Sequence, residues 1–171
     1  MDHPVPWEGV VAASMPWFVE RFTLHDSGLQ SITADWEGRT LLKIHFDLHW
    51  NPSVPDGHTT LWIRFDHPYR VVYTRGGWGQ PTLEGVQSQA LDNQQREAIR
   101  AGTSFDPRAY QLPGTEFGSV YPPDDDGLTS TMFSLMNWGT LALLHATPVR
   151  FAVASSETAG IDLTSLNVRP P

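Results

Sequence analysis

The alternation that runs from Leu42 to Trp50 constrains this chain more than any other stretch. Leu42, Ile44, Phe46, Leu48 and Trp50 take every second position, with Lys43, His45, Asp47 and His49 between them. A period of two puts each set on its own side of an extended backbone, so residues 40–50 read as one half-buried β-strand. The even-numbered side chains then belong to a core and the odd-numbered ones to solvent. Upstream, Leu29 to Trp36 reads as a strand, and Glu37-Gly38-Arg39 as a three-residue hairpin tip that sets Ile32 opposite Ile44 and Ala34 opposite Leu42. Downstream, the turn-forming cluster from Asn51 to Gly57 is an exposed loop. Leu61, Ile63 and Phe65, alternating with Trp62, Arg64 and Asp66, then form the returning antiparallel strand. Tyr69 to Thr74 adds a fourth.

The rest of the chain agrees with a strand-rich domain. Fourteen Gly and fourteen Pro interrupt backbone hydrogen bonding too often for a helical bundle, and favour short strands joined by turns. Phe18, Phe22 and Leu24 suggest a first strand over 17–24, and residues 1–15 form an N-terminal arm whose Trp7 tucks onto the body. Val86, Ala90, Leu91, Ala98 and Ile99 make a thin apolar stripe at helical spacing, which predicts the main helix over about 82–101, with Gly102 as its stop. Residues 103–127 form a long irregular crossing. Beyond it, Thr140 to His145 and Val149 to Ala154 resemble paired strands, and a polar tail occupies 155–171. The expected fold is therefore a single α+β domain over 1–171, mostly antiparallel β-sheet with one main helix.

Chemistry is harder to find. His45, Asp47 and His49 share one strand face, and imidazole with carboxylate is a ligand set for zinc or a similar divalent ion. His45 and His49 would stand roughly 13 Å apart at about 3.3 Å per residue, so a real site would pair one of them with Asp47 and a cross-strand ligand such as Asp66 or His58. Against this stands the plain reading of a solvated sheet face. His25-Asp26-Ser27 has the residue types of a hydrolase triad, but adjacent side chains diverge, and with Gly28 the run reads better as a turn. Nucleophile elbows, phosphate loops and zinc-protease helices are absent from the sequence. Trp78, within Gly76-Gly77-Trp78-Gly79, and Trp62 with Tyr73 are candidate aromatic anchors for a sugar, small ligand or partner, weighed against simple burial. Asp124-Asp125-Asp126-Gly127 lacks the terminal Glu of an EF-hand loop. It reads as an acidic turn whose three carboxylates offer a docking point for Lys and Arg.

A net charge of -8 with eleven scattered Lys and Arg argues against nucleic acid and for a basic protein partner. There are no cysteines, which removes disulfides and thiolate metal sites. A basic, apolar leader is missing after Met1-Asp2-His3-Pro4, and so is an apolar run of membrane-spanning length, so the expectation is a soluble cytoplasmic protein. The succession Leu24-His25-Asp26-Ser27-Gly28-Leu29-Gln30-Ser31-Ile32 with Gly38-Arg39-Thr40-Leu41-Leu42-Lys43-Ile44 and Phe46 resembles the opening of small uncharacterised bacterial domains with a His-Asp-Ser turn, some of them similar to immunity proteins. The resemblance, over residues 22–46, implies an antiparallel sheet domain that binds and blocks a toxin without catalytic residues. The expected function is therefore non-catalytic, immunity-like protein binding without a cofactor. A metal-dependent hydrolase at His45, Asp47 and His49, or a small-ligand or sugar binder, are the alternatives.

Overall fold

The computed structural model describes residues 5–35, 38–66, 68–74, 81–100, 115–117, 128–136, 139–146 and 148–171. After a 3-10 turn at Trp7–Gly9 come β1 (Ala12–Ala13), α1 (Met15–Val19), β2 (Gly28–Ala34), β3 (Thr40–His45), β4 (Thr60–Phe65) and β5 (Arg70–Thr74). There follow β6 (Leu83–Ala90), α2 (Asn93–Arg100), β7 (Thr115–Phe117), β8 (Leu128–Leu135), β9 (Gly139–Ala146), β10 (Val149–Ala154), β11 (Ile161–Asp162) and a 3-10 turn at Leu163–Leu166. The strands pair antiparallel into two sheets. The first is ordered β1-β10-β4-β3-β2, with β11 also beside β10, and the second β6-β8-β9-β5-β7.

One apolar cluster takes side chains from both sheets. Leu42, Ile44, Leu61, Ile63, Phe65 and Phe151 come from the first; Val71, Leu83, Phe133, Leu135, Leu141 and Leu143 come from the second. Phe18 of α1 closes one end, stacked on Phe151 with ring centroids 4.9 Å apart and planes 5° from parallel. Among the described residues the fold is thus mostly antiparallel β-sheet with two short helices, which corrects the expected long helix over 82–101. Residues 83–90 are a strand, because pairing along the whole of β8 supplies backbone partners and side-chain contacts that outweigh a thin helical stripe containing Gly85. The helix starts only where a capping box allows it. Asp92 Oδ1 accepts from the Gln95 amide at 2.8 Å, and Gln95 Oε1 accepts from the Asp92 amide at 3.0 Å.

Other expectations change for equally local reasons. The first strand over 17–24 is replaced by α1, whose start is fixed by Ser14 Oγ accepting from the Trp17 amide at 3.1 Å and by Pro16 in the first turn. The central strand ends at His45 rather than Trp50; Phe46 is still buried, but Trp50 is 47% exposed. The β2–β3 hairpin closes over Asp35 to Arg39, so that Ile32 faces Leu42 and Ala34 faces Thr40. Asp35 sets this register: its carboxylate takes the Arg39 amide at 2.9 Å and the Arg39 Nε at 2.7 Å, and Gly38 turns the chain at φ 84°. The offset from the expected register is two residues, which keeps each side chain on its own face. β9 and β10 do not pair with each other; they lie in different sheets. The N-terminal arm is packed, with Val5 and Val10 buried, and the polar tail adds β11 and the buried Leu163.

Candidate functional site

The outer face of the first sheet is not a plain solvated face. Leu41 of β3 and Trp62 of β4, which sit at the solvent-side positions of their strands, are 7% and 8% exposed. They form a second apolar cluster with Val5, Val10, Ala152 and Ala154, and Trp7 packs against it. The N-terminal segment therefore lies across one half of this face. It is held there by Arg150 Nε donating to the Val10 carbonyl at 3.3 Å and by Asp162 Oδ2 accepting from the Val11 amide at 2.8 Å.

The other half is left as a groove of about 990 Å³. Residues 5–8 line one side, and the outer face of β2, β3 and β4 forms the floor with Ser31, Thr33, Leu41, Lys43, Trp62 and Arg64. Cross-strand register assembles the floor: Lys43 stands opposite both Ser31 and Trp62, and Leu41 opposite Arg64. The Lys43 ammonium lies 5.5 Å from the Trp62 ring centroid, and the Arg64 guanidinium 5.6 Å from that of Trp7. Arg39 is held by Asp35 at 2.7 Å, and Arg64 by Asp66 at 2.6 Å, while Asp66 also takes Arg150. Among the described residues Lys43 has no carboxylate partner.

Among the described residues, Trp62 is thus the sequence-predicted site residue that lines this groove. Lys43, Trp7, Arg39 and Arg64 are added by the fold. The signal for them was present in Leu41-Leu42 and Leu61-Trp62-Ile63, where consecutive apolar residues break the alternation and show that both faces of the sheet are covered. Tyr73 lies on β5, half-buried against the main core. Trp78, Asp124, Asp125 and Asp126 fall outside the described residues.

The polar residues singled out in sequence fall into three places. His45 is exposed at the end of β3, opposite Gly28 and Thr60. Asp66 belongs to the arginine network just described. Asp47 and His49 leave the strand and form a turn, with Asp47 Oδ1 accepting from the His49 amide at 2.8 Å. Among the described residues no group of three or more His, Asp or Glu is arranged to hold a metal ion. The structure instead brings two separate sequence motifs together around Trp50. Its ring lies edge-to-face with His25 at 5.3 Å and with His49 at 5.0 Å, and its Nε1 donates to Asp26 Oδ2 at 3.3 Å. Asp26 adopts φ 62° in its turn. Ser27 points the opposite way: it is fully buried and its Oγ accepts from the Asp47 amide at 3.0 Å, so no relay joins His25, Asp26 and Ser27.

A hydroxyl–imidazole contact exists elsewhere, at 2.7 Å between Thr131 Oγ1 and His145 Nε2. Both residues are fully buried between the sheets, so a substrate cannot reach them. Burial lowers the His145 pKa from 6.5 to about 4, against the smaller raising effect of its bond to the Ala146 carbonyl. Among the described residues no helix is long and apolar enough to cross a membrane. Compared with protein-family models, with curated proteins and with solved structures, the chain matches none.

Proposed function

We propose that this chain is a non-catalytic binding protein that takes a small ligand into the groove between its N-terminal segment and the outer face of the first sheet. The observation that carries this reading is the groove itself: about 990 Å³, with the Trp7 indole at its side and, on its floor, Trp62 and an ammonium without a carboxylate partner among the described residues. That volume lies at the upper end of the range for small-molecule pockets, roughly 300–1,000 Å³. The combination of aromatic surface with a few fixed polar groups is what such sites use to bind and orient. Local charge supports a small ligand over a basic partner here. Arg39 and Arg64 are balanced in charge by Asp35 and Asp66, and Lys43 by Glu8 across the groove, so these groups carry none of the negative excess of the chain, and screening over about 8–10 Å leaves them dominant over its net charge. A fragment screen read by NMR tests the proposal. Hits should move the indole N–H resonances of Trp7 and Trp62; hits that leave both unmoved would refute it.

The net charge of -8 separately favours a basic protein partner on another surface. Capture of a basic protein, weakening as salt is raised from 50 to 500 mM, is the result this second reading requires; salt-independent capture counts against it.

A further inference from the structure

Resting on that reading of the groove, we infer that its ligand is a ring-bearing monocarboxylate, with the carboxylate held by Lys43 and Ser31. The assignment follows from which polar groups the fold has already used. Arg39 and Arg64 each have a carboxylate within 2.7 Å, and Thr33 Oγ1 donates to the Leu41 carbonyl at 3.4 Å. Lys43 and Ser31 are different. They are cross-strand neighbours, both half-buried, and among the described residues neither makes a hydrogen bond or ion pair with its side chain. The Lys43 ammonium, 5.5 Å from the Trp62 ring centroid, offers a carboxylate a charge-assisted bond, and the Ser31 hydroxyl of the neighbouring strand offers a neutral one.

Charge decides between a monoanion and a dianion. Lys43 is a single cation without a carboxylate partner among the described residues, and Glu8 stands exposed in the facing wall. A phosphate monoester would therefore bring a second negative charge without a partner. The body of the ligand is set by the walls. Trp7 is half-buried and lines the groove, with Leu41 beneath it, so a flat apolar ring has an indole to lie against. The cavity holds far more than an isolated carboxylate needs.

The test uses three probes with the same ring, 2-naphthoate, its isostere 2-naphthamide, and the cationic 2-naphthylmethylamine, titrated into the full chain and followed by NMR. Naphthoate should bind about tenfold more tightly than the amide, the effect of one charge-assisted hydrogen bond to a half-exposed ammonium, and the amine should bind more weakly still. Lys43→Met should remove the preference for naphthoate over the amide. Ser31→Ala should reduce it by a smaller factor. Resonance dispersion shows that each variant is folded, and the Ser31 variant carries the test if Lys43→Met does not fold. Equal binding of amide and naphthoate, or a preference that survives both substitutions, would overturn the carboxylate assignment while the groove reading stands. If no probe moves the Trp7 and Trp62 indoles, both fail.

Discussion

Acidification should destabilise this protein through one buried imidazole. His145 lies on β9 between the sheets, fully buried, with the Phe65 ring edge-on at 4.8 Å. A backbone carbonyl can only accept, so Nδ1 carries the proton and donates to Ala146 O at 3.1 Å, while Nε2 accepts from Thr131 Oγ1 at 2.7 Å. Thr131 Oγ1 is then free to accept from Ser88 Oγ at 2.9 Å. A second proton would break the bond to Thr131 and place a charge among Phe65 and the sheet interior, which is why burial lowers the pKa to about 4. In the unfolded chain the same group titrates near 6.5. Between these values the unfolded chain binds more protons than the folded one, so stability rises with pH. The contribution is complete above about pH 6.5 and is lost as the pH falls towards 4. At about 1.4 kcal/mol per pH unit the full loss is about 3 kcal/mol, a large share of a typical stability of about 5–15 kcal/mol.

Urea denaturation at pH 7.5 and 4.5 measures this loss, with His145→Gln as the non-titrating reference. The wild type should lose between about 2 and 3 kcal/mol more than the variant across that interval. An NMR titration of the His145 ring in the native protein gives an independent reading should the variant fold poorly. Equal pH dependence of the two proteins, or a native titration midpoint near 6.5, would refute the reasoning.

Further predictions concern packing. A Cβ added at Gly139 would lie 2.9 Å from both Thr74 O and Leu135 Cδ1, so Gly139→Ala should destabilise by about 1–3 kcal/mol; an unchanged melting temperature would contradict this. Asn51 is 2% exposed, and its side chain accepts from the Thr23 amide at 3.0 Å while donating to the Thr23 and Asp47 carbonyls at 2.9 and 2.8 Å. Asn51→Ala should cost at least about 2 kcal/mol in chemical denaturation, since it strands buried backbone groups, and should speed hydrogen exchange at the Thr23 amide. Phe18→Ala, which removes the ring stacked on Phe151, should cost about 3–5 kcal/mol; a loss below 1 kcal/mol would show that α1 is not part of the cooperative core.

Legibility followed the range of the interactions. Even-numbered Leu42, Ile44 and Phe46 point inward as the alternation requires, and β4 returns antiparallel with Leu61, Ile63 and Phe65 in the core, because a period of two is a property of the extended chain alone. The boundary at His45 was not legible: Asp47, Ser27 and Asn51 stop the strand through bonds between segments 20 and 28 residues apart or through a local turn that competes with pairing. Ser14 and Asp92 did carry cap signals, which outrank the weaker periodicities that suggested a strand over 17–24 and a helix over 82–101. The site was the least legible part. Trp62 stood out as an aromatic residue among polar ones, but Lys43, Ser31 and Trp7 become neighbours only when two strand pairings and a packed N-terminal segment are in place.

From residue order alone came the β-rich class, the inward face of the central strands and the acidic net charge, all set by composition or by neighbours within a few residues. The division into two sheets was decided by tertiary structure, and so were the parting of β9 from β10 and the groove, because pairing partners are chosen by the total apolar surface that two faces bury together, a quantity no single segment contains.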